Sequence, residues 1–124
     1  MKLETEKIQK KYTFHEQLRQ KMDDLAHLVY ACARKFPKEE LFGLSSQLRR
    51  AVLSIILNYV EGYARIRDKV HKNFLEISYG SLKETKYLLE FSHKENFISK
   101  DDYLKAEKLA DDIGAMLWGI LRKI

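Results

Sequence analysis

Two acid–histidine pairs at helical spacing, Glu90-x-x-His93 and Asp24-x-x-His27, are the residues best placed by type to hold a metal. A carboxylate-bridged di-metal centre in a helix bundle needs two Glu-x-x-His pairs and further inward-facing glutamates. Only Glu90 and His93 match that pattern, and both pairs lie off the apolar seams of their helices. No metal and no cofactor is therefore expected. His15, His27, His71 and His93 are scattered, and Cys32 sits at a seam position, where a thiol packs as a small apolar group. There is no glycine-rich phosphate loop, no Cys-x-x-Cys and no nucleophile elbow. The sequence offers no catalytic residues and no small-molecule substrate site.

Cations give a clearer signal. The net charge is +5, and Leu44 to Arg67 carries Arg49, Arg50, Arg65 and Arg67 against the single acid Glu61. Arg65, Arg67, Lys69 and Lys72 follow one another where a helix should end and the next begin. That placement makes them the candidate phosphate contacts, because a helix end is more exposed than its middle. Such contacts position a nucleic acid without reading its sequence. No aromatic cluster alternates with these cations in the sequence, so structured or double-stranded RNA is the expected ligand form rather than stacked single strands.

These side chains must be carried by helices. Leu18, Met22, Leu25, Val29, Cys32 and Phe36 recur at alternating spacings of four and three, which predicts a first helix over about Phe14 to Lys35, stopped by Pro37. Ser45 or Ser46 can cap a second helix running to about Arg67. A third runs from Asp68, a plausible cap, to about Lys94, with a break or a bend near Asp68 both compatible with the sequence. Ser99 caps a fourth, whose seam is Tyr103, Ala106, Ala110, Ile113, Leu117, Ile120 and Ile124. Short connections between long amphipathic helices imply an all-α, antiparallel up-down-up-down four-helix bundle over residues 13–124, behind a flexible basic segment over 1–12. The longest uncharged stretch, Ala51 to Val60, is about half a membrane span, and the start of the chain has no apolar signal core. With one cysteine, a reducing cytoplasm is the expected compartment and no membrane is involved.

The second and third helices carry more apolar surface than one bundle needs. Leu44, Leu48, Ala51, Val52, Ile55, Tyr59 and Gly62 form one face of the second; Leu53, Leu57, Val60 and Ala64 form another. In the third, Phe74, Ile77, Leu88 and Phe91 are joined by Leu75, Leu82 and Leu89. Two readings fit: a homo-oligomer joined through Leu53, Leu57, Val60, Leu75 and Leu82, or two helices that are simply central. Between the apolar faces runs a polar strip, Gln47, Arg50, Ser54, Asn58, Glu61 and Arg65, at spacings of three and four. It reads either as an interface network that fixes register or as a ligand-facing strip. Arg50 and Glu61 are too far apart to pair along one helix, which predicts partial burial and partners on other helices or subunits. Gly80 inside the third helix predicts close approach of a neighbour, with an open exposed position as the alternative.

Leu48-Arg49-Arg50-Ala51, Ser54-Ile55, Asn58, Glu61-Gly62, Phe74-Leu75 and Gly80-Ser81-Leu82 with Glu84-Thr85 together resemble the bacterial four-helix-bundle proteins called S23 or 23S rRNA intervening-sequence proteins. The fold is also similar to that of the accessory variability protein of diversity-generating retroelements. The resemblance covers the chain from the first helix to the C-terminus. It implies a non-catalytic antiparallel bundle, a homopentameric ring, and RNA, the ribosome or a reverse transcriptase as partner. Ile56 and Leu57 stand where the family usually has a proline and a small residue. The net charge is also lower than in the strongly basic retroelement proteins.

Overall fold

The structure is a computed structural model and describes residues 13–124. The expected basic segment over residues 1–12 lies outside the described residues. Four helices follow one another: α1 (Phe14–Ala33), α2 (Leu44–Tyr63), α3 (Asp68–Lys94) and α4 (Lys100–Leu121). A 3-10 turn, Lys38–Glu40, joins α1 to α2, and no strand occurs among the described residues.

Local chemistry explains most boundaries. Thr13 and Glu16 form a reciprocal capping box at the start of α1. Gly43, not Ser45 or Ser46, is the N-cap of α2; the Glu40 carboxylate accepts the Leu44 N–H at 3.1 Å and replaces a serine cap. Ser45 is instead buried in the first turn. α2 stops at Tyr63, four residues short of the expected end, and the chain breaks rather than bends before α3. Arg67 is the N-cap of α3 and supplies no side-chain bond, so Asp68 acts as a first-turn acid and not as the cap. At the other end of α3, Asn96 adopts a left-handed φ of 63°. Its N–H donates to the His93 carbonyl and that of Phe97 to the Ser92 carbonyl, the paired bonds of a Schellman stop. Ser99 caps α4 by accepting the Asp102 N–H at 3.2 Å.

Neighbouring helices run antiparallel. His15 at the start of α1 meets Tyr59 near the end of α2. Ser54 meets Ser81, and Gly62 meets His71, so α3 descends as α2 rises. Lys86 pairs with Asp111 while His93 stacks on Tyr103 across α3 and α4. Lys21 pairs with Asp112, which closes α4 against α1.

The core takes the α1 seam whole: Leu18, Met22, Leu25, Val29, Cys32 and Phe36 are all buried. Burial, chiefly, and the nearby Asp102 hold the Cys32 thiol above its ordinary pKa, so it packs protonated. From α4 come Ala106, Ala110, Ile113, Leu117 and Leu121; Ile124 lies beyond the helix and is exposed, a departure from the expected seam.

α2 and α3 pack through small side chains. Ser78 and Thr85 are fully buried and Ser81 nearly so. The Ser78 hydroxyl donates to the Ile55 carbonyl across the interface, and the Thr85 hydroxyl donates to Ser81 of its own helix. These short hydroxyl residues beside Leu75, Leu82 and Leu89 turn that leucine row inward. Leu75 and Leu82 are 0% exposed and belong to the core of the single chain, which corrects their expected place at a subunit interface. Ile77 and Phe91 face outward instead. Gly80 is exposed, and a Cβ there would meet nothing within 4 Å, so the open-position alternative replaces the expected close approach within the chain.

Candidate nucleic-acid interface

Arg65, Arg67, Lys69 and Lys72 are all exposed around the link between α2 and α3. Ile66, at 98% exposure, stands between the two arginines. The four cations are not equivalent. Arg65 forms an ion pair with Glu61 one turn earlier, and its guanidinium lies 5.2 Å from the centre of the Phe74 ring. Its charge is partly offset and its position held. Arg67, Lys69 and Lys72 have no ion pair among the described residues. The link is closed by His71, whose Nδ1–H donates to the Gly62 carbonyl at 2.6 Å. Gly62 permits this approach: a Cβ there would come within 3.3 Å of Leu75 and Phe74.

The same end of the bundle gathers aromatic rings that are distant in sequence. Tyr63 lies between two imidazoles, 4.8 Å from His15 and 4.7 Å from His71, both edge-on. Behind it, the Tyr59 hydroxyl lies 2.6 Å from Nδ1 of His15. Burial, and next the neighbouring Tyr63, raise the Tyr59 phenol above its ordinary pKa; burial also raises that of Tyr63. Both phenols therefore stay neutral near pH 7. The last turn of α4 reaches this end too, and Arg122 and Lys123 border a hollow that Phe14, His15 and Tyr63 also line. Sequence reasoning missed this ring cluster, because its members belong to three helices.

The polar strip of α2 behaves differently from expectation within the chain. Gln47 and Arg50 are exposed, and Arg50 has no ion pair among the described residues. Glu61 is half-buried and pairs with Arg65, not with another helix. Among the described residues Ser54 makes the one crossing bond of the strip, 2.7 Å to Ser81. Asn58 donates back to the Ser54 carbonyl at 2.8 Å and to its hydroxyl at 2.9 Å. Gln47, Arg50 and Ser54 border a shallow hollow with Glu84 of α3. Opposite the core, Leu53, Leu57 and Val60 are 36%, 63% and 42% exposed, an apolar stripe left open among the described residues.

The acid–histidine pairs have other uses. Glu90 pairs with Lys94 at 3.0 Å, and the His93 Nδ1–H donates to the Ile98 carbonyl at 3.1 Å. Asp24 accepts from Gln20. Among the described residues no three His, Cys, Asp or Glu side chains converge as a metal site would require, and no described helix is long and apolar enough to cross a membrane.

Beside this geometry, comparisons with known proteins give one family match and one match of fold. A family model described as 23S rRNA-intervening sequence protein matches residues 15–119. Among solved structures, a protein of unknown function from the S23 ribosomal protein family of Bacteroides thetaiotaomicron is similar at a TM-score of 0.81 and 22% identity, covering 89% of this chain and 99% of that one. At that identity the likeness is one of fold. No curated protein matches.

Proposed function

The chain belongs to the 23S rRNA-intervening sequence protein family, and from that premise we propose that it is a non-catalytic, homo-oligomeric binding protein that associates with RNA or the ribosome. The observation that carries this reading is the group of exposed cations at one bundle end, of which Arg67, Lys69 and Lys72 have no ion pair among the described residues. Cations left unpaired in water at the start of a helix are available to phosphates, and the positive end of α3 adds to their field. One copy of the patch binds weakly; an assembly repeats it, and linked weak sites gain avidity when one RNA reaches several. Assembly is supported by the apolar stripe Leu53, Leu57 and Val60, since exposed apolar faces of this kind mark interfaces. The family resemblance makes five subunits the expected number, and the single cysteine favours a reducing, cytoplasmic setting.

The test replaces Arg65, Arg67, Lys69 and Lys72 together by glutamine and titrates structured RNA at low salt. The fourfold variant should lose most of the affinity while keeping its helical content. Equal binding by the variant would leave the patch a solvated surface. A second reading, a protein–protein ring scaffold without nucleic-acid affinity, draws on the same apolar stripe and would then take its place.

A further inference from the structure

At the bundle end where α1 and α3 begin, we propose that the protein holds an unpaired stretch of RNA, one base stacking in the hollow beside Phe14 and Tyr63 while phosphates meet cations on either side. This rests on the RNA-binding reading and names the form of RNA that the end recognises. Four rings make a row across three helices: Phe14 to His15 at 5.8 Å, His15 to Tyr63 at 4.8 Å, and Tyr63 to His71 at 4.7 Å. Phe14 and Tyr63 remain 46% and 43% exposed, so the row keeps apolar ring surface in water.

Beside the row, between α1 and α4, lies a hollow of about 600 Å³ with Met116, Gly119 and Ile120 in its wall. That size falls within the range of small-molecule sites, about 300–1,000 Å³. Arg122 and Lys123 stand at its edge, and Arg67, Lys69 and Lys72 are exposed around the start of α3, the helix whose His71 ends the row. None of the five has an ion pair among the described residues.

Rings flanked by cations are the chemistry of single-strand binding. Every base has a π-face to stack, and the backbone beside it needs positive charge. A duplex hides those faces against neighbouring base pairs, so it can use the cations but not the rings. In sequence the aromatics do not alternate with the cations, which favours a duplex; the fold gathers both at one bundle end.

Gly119 supplies a variant that fills the hollow, because it lies in the wall and a Cβ there would meet nothing within 4 Å; unchanged helical circular dichroism and melting of the variant check that the fold is kept. The experiment uses the full chain at low salt, a single-stranded RNA carrying 2-aminopurine, and a duplex of the same length. Wild-type protein should quench the 2-aminopurine on binding. Gly119→Leu should abolish the quench and weaken single-strand binding about tenfold, the loss of one stacked base, with duplex affinity unchanged. Phe14→Ala should act in the same direction. Gly119→Leu that still binds and quenches like wild type overturns the hollow while leaving RNA binding intact. Equal weakening of duplex and single strand overturns it as a general effect. Failure of wild type to bind either RNA overturns both readings. A quench that appears only after residues 1–12 are removed assigns the hollow to the chain's own N-terminal segment and overturns the proposal.

Discussion

Gly62 and Gly80 lie one helix apart and do opposite work. Gly62 lets the His71 imidazole and the first turns of α3 close on the end of α2. Filling it with Gly62→Leu should overpack this contact and cost about 1–3 kcal/mol. Gly80 touches no neighbour through its missing side chain. Gly80→Ala should stabilise the chain by about 0.5–1 kcal/mol, through helix propensity alone. Urea denaturation of both variants checks the signs, and destabilisation by Gly80→Ala would reveal a contact at that position outside the single chain. The tyrosines set a second prediction. Tyr59 and Tyr63 have raised native pKa values, and the Tyr103 phenol, held by its bond to Glu107, is pushed up to about 12. A raised native pKa stabilises the fold below the unfolded value of about 10 and loses that contribution as pH rises through the native value. Thermal stability should therefore fall above about pH 10, and Tyr59→Phe should make the fall shallower. An unchanged alkaline profile in Tyr59→Phe would remove Tyr59 as a cause.

Element by element, legibility in the sequence depended on how many apolar rows a helix carries. α1 has one, and its seam from Leu18 to Phe36 could be read outright. α3 carries Leu75, Leu82 and Leu89 beside Phe74, Ile77, Leu88 and Phe91, and spacing alone cannot choose which face the core; Leu88 joins the first set inside, while Ile77 and Phe91 stay outside. The deciding signal is steric: Ser78, Ser81 and Thr85 are short enough for α2 to pack closely, which places the first set inside. Leu82→Ala should then cost about 2–5 kcal/mol, and Ile77→Ala within about 0.5 kcal/mol, by chemical denaturation at concentrations where the protein is monomeric. Comparable losses at the two positions would contradict this orientation of α3. The site divides in the same way. Arg65, Arg67, Lys69 and Lys72 fall within one short stretch, so their grouping is visible in the sequence. Phe14, His15, Tyr63 and His71 are brought together only by the antiparallel return of the chain, and no local pattern announces them.

At the scale of the whole molecule, the Leu53, Leu57 and Val60 stripe and the cationic bundle end both face water among the described residues. Leu53→Asp with Val60→Asp should break the assembly in sedimentation velocity while leaving the helical circular dichroism intact, because neither residue belongs to the core. A wild-type protein that sediments as a 14.7 kDa monomer at micromolar concentration would remove the oligomer from the account. The claim that the basic end meets phosphates is tested most directly by the salt dependence of wild-type RNA affinity. Engaging Arg67, Lys69 and Lys72 on each bound subunit predicts log affinity falling against log salt with a slope of at least about −2, from roughly 0.7–0.9 per phosphate neutralised. A slope near zero, or no binding at low salt, would contradict it.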